Sequence, residues 1–219
     1  MTDPLYVQTL DLACGAFLLT GVLVLWRRDL AAIIWLFGLQ GVALGALIAV
    51  RGLHEADVEL TVLGLGVGLL RAVLLPYLMR RALAAGEEGR EARPHVSVAA
   101  SLLVTAVLTM IAYAVSQPLV RLAPTPATQA VPIALTVLLV GFFVLVTRRR
   151  ALSQVVGLLL MDNAITAAAF LTTTGVPLVV ELGVSLDVLL AVLALQILTT
   201  RMRAAFGGTD LDELRELHD

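Results

Sequence analysis

The chain has 219 residues, 59% of them hydrophobic, and a formal net charge of −2, with a mean hydropathy of +0.96. Soluble domains contain about 45–50% apolar residues, so this composition predicts a polytopic membrane protein. The single cysteine, Cys14, excludes an internal disulfide and a cysteine-ligated iron–sulfur cluster. All three histidines, His54, His95 and His218, lie outside the predicted spans, which excludes a bis-histidine haem within the bundle.

Seven apolar segments are each long enough to cross a bilayer as a helix. They lie at about 5–26, 30–50, 59–79, 96–116, 130–147, 151–173 and 177–200. The first of them lacks a preceding basic region and carries Asp11, so we expect a membrane span here rather than a cleaved signal peptide. The predicted fold class is therefore all-α, a polytopic membrane protein of about seven helices.

The placement of arginine predicts the orientation of these spans. Twelve of the fifteen arginines lie in the links after spans 1, 3 and 5 and in the tail after span 7. Only Arg51 and Arg121 lie on the opposite side, and Arg71 lies within span 3. The positive-inside rule then predicts that the N-terminus is outside and the C-terminus is cytoplasmic, which requires an odd number of spans.

The chain also resembles itself. A shift of 122 residues places RRDLAAIIW, from Arg27, on RRALSQVVG, from Arg149, and aligns Glu59 with Glu181. This similarity predicts two parallel three-helix repeats joined by span 4, as in some membrane transport folds; chance similarity between membrane hairpins remains the alternative. The predicted parts are 1–81 for the first repeat, 82–128 for the connector, 129–203 for the second repeat and 204–219 for an acidic cytoplasmic tail.

Span 3 combines glycine, arginine and proline. The stretch GLGVGLLR, Gly64–Arg71, has closely spaced glycines, which predict a tight helix-packing face. Arg71 precedes Arg80 by nine residues, or about 13 Å along a helix, and so lies near the middle of the bilayer. Pro76 leaves the Ala72 carbonyl without its helical donor, so a kink is expected beside the charge.

Carboxyl groups lie at a similar depth in spans 6 and 7. Asp162 lies about 18 Å from the arginines that precede span 6, and Asp187 lies about 21 Å from Arg201. Each charge at this depth costs about 2.5–3.5 kcal/mol on insertion scales, so it must be paired, neutralised or hydrated. Carboxyl groups that exchange a proton inside a membrane are natural elements of a proton relay.

These residues form two predicted sets. The predicted proton path consists of Asp162, Glu181, Asp187 and Arg71. A predicted secondary polar path consists of Asn163, Glu59, Asp11 and Gln40. The alternative is a buried ion pair between Arg71 and a carboxylate that only fixes the packing of the helices. No catalytic group and no metal site is predicted in this chain.

The stretches SQVVGLLLMDNAI and GVPLVVELGVSLDVLLAVLALQIL resemble the hydrogenase-4 component E family, as does LLRAVLLPYLMRRAL in span 3. By this resemblance Asp162 matches the acidic residue before asparagine in span 6, where glutamate is expected. Glu181 and Asp187 match the acids of span 7. Arg71 stands where lysine is expected; because arginine stays protonated, it would set the field on the acids rather than exchange protons.

The resemblance implies a membrane subunit of a group 4 nickel–iron hydrogenase, a formate hydrogenlyase-type complex or a complex I-like assembly in the prokaryotic cytoplasmic membrane. The last three helices are similar to the K subunit of respiratory complex I and to antiporter C subunits. Antiporter-like and quinone-subunit-like membrane partners and a peripheral redox arm are implied, with the iron–sulfur clusters and nickel–iron centre held by those partners. No cofactor and no nucleic acid is expected for this chain. A structural membrane anchor and an independent small proton-coupled transporter are the competing functions.

Overall fold

The computed structural model describes residues 4–84, 97–148 and 151–172, and within these residues it is helical with no β-strand. The helices are α1 (Pro4–Trp26), α2 (Leu30–His54), α3 (Val58–Leu69), α4 (Leu75–Ala84), α5 (Val98–Leu122), α6 (Pro126–Gln129), α7 (Val131–Thr147) and α8 (Ala151–Thr172). A single π-helical turn, Leu70–Leu74, joins α3 to α4.

Six stretches of the described residues are long and apolar enough to cross a membrane, which supports a multi-pass membrane protein. They are Pro4–Trp26, Leu30–His54, Val58–Arg81, Val98–Leu122, Pro126–Thr147 and Leu152–Thr172. The first six predicted spans are thus confirmed in order. The seventh, 177–200, and the tail, 204–219, lie outside the described residues, and the two repeats and the orientation remain predictions.

Three membrane helices continue past their predicted ends. α2 continues to His54, α4 to Ala84 and α5 to Leu122, past the predicted ends at 50, 79 and 116. A helix keeps its internal hydrogen bonds after it leaves the hydrocarbon core, so hydropathy marks the membrane boundary rather than the helix end. His54 is therefore the last residue of α2 and does not lie in a link.

Short polar residues begin three of the membrane helices. Asp29 accepts a hydrogen bond from the Ala32 amide at 3.0 Å, and Asp57 accepts one from the Leu60 amide at 3.0 Å. The Ser97 side chain does the same at the start of α5. These N-caps satisfy amides that have no partner in the first turn, so each helix begins where the sequence supplies a side-chain acceptor.

Glycines let α2 and α3 approach closely. A Cβ added at Gly45 would lie 2.6 Å from the Gly68 Cα, and one added at Gly64 would lie 2.6 Å from the Ala49 nitrogen. The predicted glycine packing face is therefore confirmed at Gly64 and Gly68. Gly66 is the exception, because a Cβ added there would meet no atom within 4 Å.

The predicted disturbance around Pro76 takes the form of the π turn. The Leu75 amide donates to the Leu70 carbonyl, five residues back, instead of four. Because the proline ring also supplies no amide proton to this turn, the helix widens locally. The widened turn contains Arg71.

The buried apolar residues form two clusters that follow one another along the bundle. The cluster toward the predicted outer side, here called the outer core, includes Leu10, Phe17, Leu44, Leu47, Val137 and Phe170. The cluster toward the predicted cytoplasmic side, the inner core, includes Val24, Phe37, Leu75, Val144 and Leu160. Along α1, α2 and α8 the boundary between the two falls at Thr20, Gln40 and Asp162.

Candidate functional site: a buried arginine between two apolar cores

Arg71 occupies the boundary between the two cores. It lies in the π turn, and only 1% of its surface is exposed. Helix α2 passes its backbone closely, since a Cβ added at Gly41 would lie 2.7 Å from the Arg71 carbonyl carbon. The absent side chain at Gly41 therefore lets the π turn pack directly on α2, which fixes the direction from which the long arginine side chain starts.

Three side chains of α8 receive the Arg71 guanidinium. Its Nη1 lies 2.6 Å from Oδ2 of Asp162 in an ion pair and donates a hydrogen bond to Oδ1 of Asn163. Its Nη2 donates to Oγ1 of Thr166 at 3.0 Å. The planar guanidinium has five donors in a fixed fork, so it can serve a charged acceptor and two neutral acceptors together.

Two amide side chains extend this cluster toward α2 and α1. Nδ2 of Asn163 donates to Oε1 of Gln40 at 3.0 Å, and Nε2 of Gln40 lies 3.4 Å from the Phe17 carbonyl oxygen. Asn163 and Gln40 are both fully buried. We call Gln40, Arg71, Asp162, Asn163 and Thr166 the polar layer.

Asp162 differs from the rest of the polar layer because it is partly open. Its side chain is 17% exposed, and it shares one face of α8 with Leu158 and Ile165, which are exposed. Oδ2 is buried toward Arg71. One side of the carboxyl group therefore faces a permanent positive charge, while its edge opens to the α8 surface.

Comparison with known proteins gives a full-length match. The chain is 50% identical, over 220 residues that cover both proteins completely, to the uncharacterized protein Rv0085 of Mycobacterium tuberculosis. The chain belongs to the same family as Rv0085. That relationship assigns a family but no activity.

A more distant similarity carries functional information. The chain is 23% identical to hydrogenase-4 component E of Escherichia coli K12 over 217 residues, which is 99% of each protein. The same figures hold for hydrogenase-4 component E of Shigella flexneri. No family model matches the chain, and no solved structure matches it. The resemblance deduced from the sequence is thus supported at the level of distant similarity along the whole chain.

The structure brings together four of the eight residues predicted for the two polar paths: Arg71, Asp162, Asn163 and Gln40. Asp11, on α1, and Glu59, in the first turn of α3, are instead exposed. Within the described residues no hydrogen bond or ion pair joins these two to the polar layer. Glu181 and Asp187 lie outside the described residues.

Two members of the site were missed by the sequence analysis. Thr166 is a further acceptor of Arg71, and its position four residues after Asp162 was the available signal, since such residues share a helix face. Phe17 takes part only through its backbone carbonyl, which no side-chain pattern reveals.

Arg148, in the predicted link after span 5, follows the last residue of α7 and is 5% exposed. Its Nη2 donates to the carbonyls of Val24 at 3.1 Å, Leu25 at 3.2 Å and Arg27 at 3.1 Å. These carbonyls lie at the C-terminal end of α1, where helix carbonyls lack partners, so Arg148 caps α1 from the start of the link to α8.

Arg51, near the C-terminal end of α2, is also buried. It is 5% exposed and pairs with Glu55 one turn further along. Beside it, His54 stacks on Tyr6 with 3.8 Å between ring centroids. The His54–Tyr6 stack joins the end of α2 to the start of α1.

Among the residues that the structure describes, no group of three or more His, Cys, Asp or Glu side chains could hold a metal ion. Cys14 is buried in the outer core. The chemistry that the polar layer offers is therefore that of a carboxyl group, a fixed cation and two amides in a largely dry setting.

Proposed function

We propose that the chain is an integral membrane subunit of a multisubunit respiratory-type redox complex, of the group 4 hydrogenase or complex I-like kind. In that complex it contributes Asp162 and Arg71 to a proton-transfer path. The observation that carries the proposal is the Asp162–Arg71 ion pair between two apolar cores of a membrane bundle. The distant full-length similarity to a protein named hydrogenase-4 component E supports the same conclusion.

Asp162 is the proton-exchanging group in this proposal. Arg71 stays charged at any working pH, so a change of charge within the pair has to occur on the carboxyl group. The open edge of Asp162, on the face with Leu158 and Ile165, offers the proton its entry. The Asn163 and Gln40 amides have no readily ionised proton, so they close the opposite side rather than extend the path.

Glu181 and Asp187, in the predicted seventh span, are the next carboxyl groups that we propose for this path. Antiporter-like and quinone-subunit-like membrane proteins would continue it laterally. The iron–sulfur clusters and a nickel–iron centre would belong to a peripheral arm made of other chains. The complex would reside in the prokaryotic cytoplasmic membrane.

A structural anchor is the second candidate, and the contacts of Arg71 favour it. A guanidinium that is almost wholly buried and bound to Asp162, Asn163 and Thr166 locks the π turn to α8. A purely structural lock needs no titratable acceptor, and a matched neutral pair should replace it. A proton path needs the acid itself.

The composition of the native assembly tests the proposal. The chain would carry an affinity tag, native membranes would be solubilised gently, and the captured material would be examined by mass spectrometry and metal analysis. A matched chain with Asp162→Asn, whose amide keeps the size of the acid, would be captured in parallel. We expect a large assembly with antiporter-like subunits, iron and nickel in both cases.

Other outcomes separate the alternatives. A large iron-rich assembly without nickel would keep the complex I-like architecture and change the oxidoreductase. A small metal-free homo-oligomer would contradict the subunit proposal and favour an independent transporter, which proton transport in liposomes would then test. Loss of assembly with Asp162→Asn would favour the structural anchor.

A further inference from the structure

The polar layer contains a hydrogen-bond chain whose direction is fixed at both ends. It runs from the Phe17 carbonyl through Gln40 and Asn163 to Arg71. A backbone carbonyl only accepts, and a guanidinium only donates. Amide side chains can face either way, and their orientation follows from the network around them.

Only one arrangement of the two amides satisfies every link. Because Phe17 accepts, the donor end of Gln40 faces it and the acceptor end of Gln40 faces Asn163. Asn163 then presents its donor end to Gln40 and its acceptor end to Arg71. The two ends of the chain demand the same direction, so a flipped amide would break a contact on each side.

This direction matters because Arg71 has two kinds of acceptor. Asp162 changes charge when it exchanges a proton, whereas Asn163 and Thr166 remain neutral acceptors throughout. If the guanidinium depended on Asp162 alone, each protonation would release it from its position. The neutral acceptors supply contacts that persist when Asp162 is protonated. Gln40 keeps the acceptor oxygen of Asn163 facing Arg71.

We infer that Gln40 is a positioning residue: acting through Asn163, it holds the Arg71 guanidinium beside Asp162 in both protonation states of that acid. The inference rests on the proposed function only for the exchange of a proton at Asp162. The packing around Gln40 agrees with a fixed side chain, since it is fully buried and a Cβ added at Gly21 would lie 3.2 Å from its Nε2.

A double-mutant cycle on the purified full-length chain tests whether Gln40 helps to hold Arg71 in place, without any assay of function. The four proteins are the unsubstituted chain, Gln40→Leu, Asp162→Asn and the double variant, and the melting temperature is measured for each in the same detergent. Without Gln40 the Asn163 amide is free to turn, so Arg71 relies more on Asp162. We expect the double variant to melt at least about 3 °C below the sum of the single effects.

Controls guard against general loss of packing and against failure to fold. Thr105→Val removes a buried hydroxyl that bonds only to Ser101 in its own helix α5, and its cycle with Asp162→Asn should be additive. Gly21→Ala is the mild variant, because its methyl group presses on Gln40 without removing a polar group, and it should give the same non-additivity at smaller size. The double exchange Gln40→Asn with Asn163→Gln keeps the amide pair, so its melting temperature should be higher than that of Gln40→Leu.

A pH profile separates positioning from a merely structural contact. In the assembled complex, Gln40→Leu should move the pH profile of coupled proton transfer toward lower pH. The predicted non-additivity means that the charged form of Asp162 contributes more to stability when Gln40 is absent. Protonation of Asp162 therefore costs more free energy in the Gln40→Leu variant. Additive melting temperatures, or an unmoved profile, would overturn the inference.

Failure of the proposed function would give a different result from failure of this inference. If no variant or wild-type complex couples proton transfer while the cycle remains non-additive, the proton path is wrong and the lock stands. If coupling depends on Asp162 while the cycle is additive, the path stands and the role of Gln40 is refuted.

Discussion

Two buried arginines of this bundle, Arg71 and Arg148, bind different kinds of acceptor. Arg71, between the two cores, binds Asp162, Asn163 and Thr166. Arg148, at the C-terminal end of α7, binds backbone carbonyls at the end of α1. Both side chains are almost fully buried, so burial alone does not distinguish an arginine beside a titratable acid from one that binds backbone carbonyls.

The acceptors make the difference. A backbone carbonyl cannot change its charge, so these three hydrogen bonds of Arg148 do not depend on the protonation of their acceptors. One acceptor of Arg71 is a carboxyl group, and its protonation changes the net charge of the polar layer by one. A buried arginine can take part in proton chemistry only where a titratable side chain shares its site, whereas carbonyl acceptors at a helix end indicate capping.

Removal of the central cation should have the largest effect. Arg71→Met leaves the Asp162 charge buried without its partner, which we expect to lower the free energy of unfolding by about 3–5 kcal/mol. The double variant Arg71→Met with Asp162→Leu removes both charges and should recover most of that loss. Unfolding in detergent, followed by helical circular dichroism, measures both. A loss below about 1 kcal/mol in the single variant would mean that the ion pair does not hold the bundle.

Exchange of each arginine for lysine should separate the two sites. Arg71 uses Nη1 and Nη2 for different acceptors, so the single ammonium of Arg71→Lys should lose a charge-assisted bond and about 1.5–3 kcal/mol. Nη2 of Arg148 donates to all three of these carbonyls, and lysine can also bond helix-terminal carbonyls. Arg148→Lys should therefore lower the free energy of unfolding by less than Arg71→Lys does in the same assay. Equal losses would show that the two sites do not differ in their need for a guanidinium.

Glycine substitutions should show whether close helix packing positions Arg71. The methyl group of Gly41→Ala would press on the Arg71 and Ala72 backbone at 2.7–2.9 Å, so we expect a loss of about 1–3 kcal/mol. Gly66→Ala is the matched control, since nothing lies within 4 Å of its added Cβ, and alanine should be neutral or stabilise the helix by up to about 1 kcal/mol. If both variants unfold alike, close packing against the π turn is not what positions Arg71.

The sequence predicted the parts that depend on composition along one helix. Apolar length located the six described spans, and residue counts placed Arg71 and Asp162 at a similar depth before any contact was known. The glycine face at Gly64 and Gly68 was also predicted, because small residues in a membrane helix indicate close packing.

What the sequence did not predict depends on how the helices rotate and pack against one another. The contact between Gln40 and Asn163 requires α2 and α8 to face each other, and no pattern within either helix specifies that. Pro76 indicated a disturbance of span 3 but not that it would be a π turn. Arg148 stands in a run of three arginines, and no pattern in that run specifies that Arg148 contacts the end of α1.

The most direct test of the central claim is coupled proton transfer in the complete complex carrying Asp162→Asn. The substituted amide keeps an acceptor for Arg71 and removes the exchangeable proton, so the account predicts normal assembly and redox turnover with proton transfer lost. Arg148→Lys serves as the control and should leave proton transfer unchanged. A complex that assembles and still transfers protons with Asn at position 162 would contradict the account, and one that does not assemble would show that the pair is structural.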